Sequence, residues 1–273
     1  MRTVSLLLAA ALLCAACSIG NREPLDLATT TSVQNSGLLD DLLPHFTQAT
    51  VRVHAAGSGR ALAMLSDDVV DVAVSHAPET EARALREEPT WAYRKFAYNH
   101  FVVVGPKNDP ADVRHAADVV DAFRRIAAAP VTFVSRGDGS GTHEREQILW
   151  DTAGVKPPSD RLLTSGRGMA ITLRQAAERQ GYTLSDEATF WQFEQQLDLT
   201  VVLERDPRLV NTYAVVYARH NDKAARFAQW LTRGAGRQRV GDFRVQGRPA
   251  FTLWPGGCPD EQPQNLPCRA ATK

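Results

Sequence analysis

The segment Val134-Ser135-Arg136-Gly137-Asp138-Gly139-Ser140-Gly141-Thr142 decides how this chain is read. An apolar run over Val131–Ser135 predicts a strand, and the pattern from His143 to about Ala153 predicts a helix. Between them lies a turn of glycines, hydroxyls and one arginine. The same order occurs twice earlier. Leu25–Thr30 predicts a strand that runs into Thr29-Thr30-Thr31-Ser32, with a helix expected over Ser36–Phe46. Val51–Ala56 predicts another, running into Gly57-Ser58-Gly59 ahead of a helix over Arg60–Leu65. In parallel α/β sheets ligands collect at the carboxyl ends of strands. There the unpaired N–H groups and the dipole of a helix start favour an anion. Serine and threonine add neutral donors, and glycine lets the backbone approach closely.

Any one of these turns alone reads first as an ordinary helix cap and tight turn. Three together, one with a cation, point to a bound oxyanion. Arg136 is the only arginine inside the three turns. Its planar fork suits tetrahedral or planar oxyanions. The bland reading is a surface ion pair with Asp138, which is worth little. Asp138 is expected to cap the following helix or to orient Arg136, because a carboxylate facing an anion is costly. A fourth glycine-rich segment, Thr164-Ser165-Gly166-Arg167-Gly168-Met169, reads as a structural turn. Its alternative contribution is a further N–H or the Arg167 side chain.

Outward from these turns, apolar runs alternate with helical patterns. Val69–Ser75, Phe96–Gly105, Val210–Ala218 and Phe251–Trp254 are strand candidates. Glu79–Glu88, Ala116–Ala129, Thr172–Gln180, Ser185–Gln195 and Asp222–Thr232 are helix candidates. Such alternation implies parallel βαβ units. In a two-lobed chain the crossings are expected near Pro106 and near Asn211, each beside a long apolar strand. Lobe I then takes 25–105 with 212–254, and lobe II takes 106–211.

The N-terminus reads as a signal rather than as fold. Arg2 precedes a nearly continuous apolar run from Val4 to Ala16, too short to span a bilayer. Cys14-Ala15-Ala16-Cys17 is similar to a bacterial lipobox, departing from it in having Cys14 where Leu or Val is usual. Residues 1–16 are thus expected to be a lipoprotein-type signal peptide, Cys17 the lipidated residue and 17–24 a tether. Several acyl chains would give stable anchoring.

Composition narrows the class. The 273 residues carry 31 Lys+Arg and 31 Asp+Glu, a formal net charge of +0. This excludes a polybasic nucleic-acid or membrane-surface binder. With 44% hydrophobic residues the chain can form a core. Removing residues 1–16 leaves 30 basic and 31 acidic residues, net −1, with Cys17, Cys258 and Cys268 remaining. If Cys17 carries lipid, Cys258 and Cys268 are left as a pair flanking Pro259, Pro263 and Pro267 within the Pro-rich tail 255–273. A disulfide there is expected; two unpaired thiols on a frayed tail are the alternative.

At these residues a family resemblance appears. The chain resembles the tungstate-binding component of a bacterial ABC uptake system. The resemblance rests on Thr29-Thr30-Thr31-Ser32 with Ser36-Gly37-Leu38-Leu39, Ala56-Gly57-Ser58-Gly59, Ala73-Val74-Ser75-His76-Ala77-Pro78 and Tyr98–Pro106. It continues through Phe133–His143, Gly166-Arg167-Gly168-Met169 and Tyr182-Thr183-Leu184-Ser185-Asp186. It implies an α/β, two-lobed type II periplasmic-binding-protein fold with the anion in the interlobe cleft. Carried over, it gives Thr30, Thr31, Ser32, Ser58, Ser140 and Thr142 as donors and Arg136 as the cation. It further implies export to the periplasm, a permease in the inner membrane as partner, and a monomer. Tungstate is the implied ligand, with molybdate of nearly the same size. No cofactor, no catalytic residue and no protein-bound metal are expected. Ser75-His76 and Gly139 depart from the family pattern without removing a donor.

Other classes are weighed on the same residues. A secreted Ser-His-Asp hydrolase needs a nucleophile elbow. Ala56-Gly57-Ser58-Gly59 and Gly139-Ser140-Gly141 both miss the Gly-x-Ser-x-Gly spacing. The ligand-sensing lobes of a transcription regulator share the fold class, but the signal and the missing helix-turn-helix oppose that reading. A carrier for sulfate, phosphate or a small organic anion stays open.

Overall fold

Runs rich in valine and alanine make most of the strands of this computed structural model, which describes residues 23–264 and 266–268. Leu25–Thr30 (β1) lies between Val51–Ala56 (β2) and Val72–Ser75 (β3), parallel to both. Thr31–Asn35 (α1) and Leu38–Leu42 (α2) follow β1, Ser58–Ser66 (α3) follows β2, and Pro78–Glu87 (α4) follows β3. The chain then enters Trp91–Gly105 (β4), which carries it into the second lobe. That lobe contains Val119–Ala128 (α5), Phe133–Ser135 (β5), Gly141–Ala153 (α6), Leu162–Thr164 (β6) and Met169–Glu178 (α7). Thr183–Asp186 (β7), Glu187–Phe193 (α8) and Thr200–Leu203 (β8) complete it. Val210–Ala218 (β9) returns to the first lobe. Asp222–Arg233 (α9), Ala235–Asp242 (α10) and the short strands Arg244–Val245 (β10), Arg248–Pro249 (β11) and Thr252–Leu253 (β12) follow.

The lobes share β4. Its first part, Trp91 to His100, pairs antiparallel with β9, and Ala97 and Tyr98 also pair with β12. From Phe101 onward it pairs with β7 and β8 instead. The partners therefore change between His100 and Phe101, earlier than the expected boundary at Gly105. Asn99 faces Asn211 and His100 faces Val210, so the two crossing strands form one ribbon.

Each lobe buries its own aromatic cluster. Phe46, Phe227 and Trp230 pack with ring centroids 5.1–5.8 Å apart in lobe I. Phe123, Phe133 and Trp150 do so at 4.3–5.8 Å in lobe II. Burying each such ring is worth about 1.5–3 kcal/mol.

Two expected helices differ in the structure. The one expected over Ser36–Phe46 starts later, at Leu38, because Gly37, whose φ of 82° only glycine adopts at little strain, stands at its N-cap, and it tightens to a 3-10 turn over Leu43–His45. A separate short helix that was not expected, α1, precedes it and starts at Thr31, within the threonine turn. In the one expected over Ser185–Gln195, Ser185 and Asp186 instead end β7, and the helix begins at Glu187. β6 and β8 were not expected, because three or four apolar residues are too few to show a period.

The tail is tied down. A disulfide joins Cys258 to Cys268, with Cα atoms 5.7 Å apart. Trp254 N–H donates to the Phe96 carbonyl and Lys95 N–H to the Asp260 carbonyl, both at 2.9 Å. The signal segment and Cys17 lie outside the described residues. Among the described residues no helix is long and apolar enough to cross a membrane.

Closing so short a loop is expected to contribute about 2–3 kcal/mol. The Cys258→Ser/Cys268→Ser variant should therefore melt several degrees below the wild type in non-reducing buffer. Coincident melting curves would show that the loop adds nothing.

Candidate functional site

Helix starts from both lobes meet at the cleft, and glycines let them touch. A Cβ added to Gly57, just before α3, would lie 3.3 Å from Ser140 Cα. One added to Gly168, just before α7, would lie 3.3 Å from Thr31 Cβ. One added to Gly141, the first residue of α6, would lie 2.3 Å from the His76 carbonyl oxygen. So the starts of α1 and α3 in lobe I face those of α7 and α6 in lobe II. Each start leaves backbone N–H groups without intrahelical partners.

The predicted hydroxyls lie at these starts. Thr30 caps α1, its Oγ1 accepting from Val33 N–H at 3.2 Å. Ser140 caps α6, its Oγ accepting from His143 N–H at 3.3 Å. Ser58 Oγ accepts from His76 N–H at 3.2 Å. In all three the oxygen is held as an acceptor, which leaves the hydroxyl proton to be given away. Thr142 is buried, and its Oγ1 has no hydrogen-bond partner among the described residues. Thr31 lies against Gly168. The Ser32 carbonyl accepts from Thr189 Oγ1 of lobe II at 3.3 Å.

Arg136 is fully buried, at 0% exposure, so the surface ion-pair reading does not hold. It does pair with Asp138, Nη2 to Oδ2 at 2.5 Å. Asp138 Oδ1 accepts from Ser140 N–H at 3.1 Å, so this carboxylate orients both the arginine and the turn. Arg136 Nε donates to the Arg167 carbonyl at 3.2 Å, and Nη1 points at Met169 Sδ at 3.6 Å. These bonds engage three of the five N–H groups of a guanidinium and leave two for a ligand. Arg167 acts through its carbonyl; its side chain is exposed.

Behind this layer stand buried groups that the donor set omitted. His76 Nδ1 lies 2.9 Å from Asn211 Oδ1. Asn99 fixes that orientation, since its Nδ2 donates to the Ala250 carbonyl and its Oδ1 accepts from Asn211 Nδ2. The network therefore assigns the proton to His76 Nδ1. Burial keeps the ring neutral and pulls its pKa down to about 4. Asp186 caps α8 through Thr189 N–H at 2.9 Å, and burial raises its pKa. Glu81 grips the loop around His76, accepting from Ser75 Oγ at 2.7 Å and Ala77 N–H at 2.9 Å. Burial pushes its carboxyl up to about 7. His76 and Asp186 each sit at the carboxyl end of a strand, the position that drew attention to the three turns.

Two α/β lobes on a strand ribbon, with helix starts and a buried arginine between them, define a bilobal solute-binding protein. Residues 23–234 match the PBP superfamily domain. The tungstate-binding protein TupA of Peptoclostridium acidaminophilum is 35% identical over 240 residues, covering 83% of this chain and 84% of that protein. The solved structure of the tungstate ABC transporter from Geobacter sulfurreducens is 35% identical. It covers 81% of this chain and 99% of its own, with a TM-score of 0.73. The TupA structure from Desulfovibrio alaskensis G20 is 36% identical, covering 84% and 98%, with a TM-score of 0.69. The chain belongs to the PBP superfamily and, within it, to the TupA family.

Two outcomes follow from this geometry. The Gly141 backbone suits alanine, so Gly141→Ala should fold with a near-native melting temperature. Its methyl group would instead hold the lobes apart and weaken anion binding at least ~10-fold, as read by calorimetry. Unchanged affinity would mean that the two turns do not approach in the bound state. Glu81 yields a pH profile. A carboxyl whose folded pKa is raised stabilises the fold fully below its ordinary range, and that contribution is lost as pH rises through about 7. Glu81→Gln should therefore gain on the wild type in melting temperature between about pH 5 and 7. Parallel profiles would count against a strained acid.

Proposed function

We propose that this chain binds the oxyanion tungstate outside the cytoplasm and delivers it to an ABC transporter permease. Molybdate, of nearly the same size, is the nearest competitor. The observation that carries this reading is Arg136, a guanidinium removed from water with two N–H groups unclaimed, set where helix starts converge. A dehydrated dianion must be met by several converging donors, because an unsatisfied buried charge is expensive. In this reading Arg136, Ser58, Ser140, Thr142, Thr30, Thr31 and Ser32 are those donors. The relatives named as tungstate-binding proteins support tungstate as the anion.

The charge balance is mostly dipolar. Asp138 already offsets the arginine. The starts of α3, α6 and α7, helices of 9, 13 and 10 residues, contribute about half a positive charge each. Together they come near to matching a dianion. The role is capture and hand-over, without bond-making. Its setting is the periplasm, with Cys17 as the lipid anchor in this reading, supported by Cys14-Ala15-Ala16-Cys17.

A thermal-shift panel of tungstate, molybdate, sulfate, phosphate and vanadate ranks the anions, because a ligand that binds the native state raises its stability. Tungstate should give the largest shift. Arg136→Ala should weaken its binding ~100-fold or more, and Arg136→Lys should recover only part of this, since the fork is lost. A folded Arg136→Ala protein with wild-type affinity would refute the assignment.

A further inference from the structure

Beside the anion cleft, the lobes are joined by a contact in which no proposed ligand residue takes part. α4 starts without a cap of its own. Its N-cap position is Ala77, which has no side-chain oxygen, and Pro78 follows. The N–H groups of Glu79 and Thr80 are thus first-turn donors with no partner inside the helix. One carboxylate from the other lobe takes both. Glu144 Oε1 accepts from Glu79 N–H at 3.0 Å. Glu144 Oε2 accepts from Thr80 N–H at 2.9 Å and from Thr80 Oγ1 at 2.6 Å. Glu144 itself stands in the first turn of α6. Its charge therefore lies at two helix starts, one from each lobe, and is favourable at both.

We propose that Glu144 is the closure latch of the cleft. It is a positioning residue that caps α4 across the gap when the lobes shut. It sets how long the anion stays, not how the anion is recognised. The proposal rests on the oxyanion-carrier reading and adds a residue that reading does not use. When the lobes part, the Glu79 and Thr80 N–H groups turn to water and the cap is gone. The stabilisation belongs to the closed form alone, so it biases the equilibrium toward closure. Encounter takes place on the open form and is left unchanged. An interlobe ion pair elsewhere, Arg248 with Glu194 at 2.9 Å, is about half exposed, and such pairs are worth little. Glu144 differs in making three charge-assisted bonds, two of them to rigid backbone.

The test measures tungstate association and dissociation by stopped flow on the full chain, for the wild type, Glu144→Ala and Glu144→Gln. Loss of the cap should speed dissociation in Glu144→Ala roughly 5- to 30-fold, with the association rate unchanged. Glu144→Gln, which keeps one acceptor oxygen, should fall between, and it carries the test alone if the alanine variant does not fold. Unchanged dissociation, or an effect confined to association, overturns the latch. Amide exchange at Glu79 and Thr80 reads it without any ligand: faster exchange in Glu144→Ala supports it and equal exchange overturns it. If the wild type takes up no tungstate, the ligand reading fails, and this exchange measurement decides the latch by itself.

Discussion

A guanidinium fully withdrawn from water constrains everything around it. Arg136 cannot be left with its charge unmet, so the protein supplies a partner of its own in Asp138. The cost of stripping water from the arginine is thereby met within one turn, before any ligand arrives. An incoming anion meets a nearly neutral pair surrounded by oriented N–H groups. With the donor set proposed above, its binding would rest on fixed dipoles and hydroxyls, which need no counter-ion when the site empties. A chain whose formal net charge is +0 is compatible with such a site, because no broad positive field is needed to hold the anion.

The hydroxyl turns show why capping and ligand binding were hard to separate on sequence. Thr30 and Ser140 are helix caps in the ordinary sense. A hydroxyl oxygen that accepts a backbone N–H still owns a proton. Capping fixes where the oxygen stands, and the proton is what it can offer an anion. The two readings describe different ends of one O–H group.

Much of this was legible because it is local. The strand–turn–helix order, Arg136 in the third turn and the cysteine pair all lie within short windows of sequence. What escaped is set by distant partners. His100 and Phe101 are neighbours on one strand, and only β7, β8 and β9 decide which lobe each belongs to. Glu144 reads as an ordinary helix residue until α4, 64 residues earlier, is laid against it. The Asn99–Asn211–His76 chain joins positions up to 135 residues apart. Arg167 suggested a second cation, but the turn uses its carbonyl, a group every residue carries and no sequence pattern marks.

The tail has a consequence for how the protein survives in its compartment. β4 would otherwise present an open edge in lobe I, a row of unpaired backbone groups that can template pairing with another chain. β12, Trp254 and Asp260 occupy that row from Lys95 to Tyr98. A chain with almost no net charge has little electrostatic repulsion to keep its copies apart. Along this stretch of β4 the tail thus does what surface charge does in other proteins, by denying a neighbouring molecule these backbone groups as a place to grow.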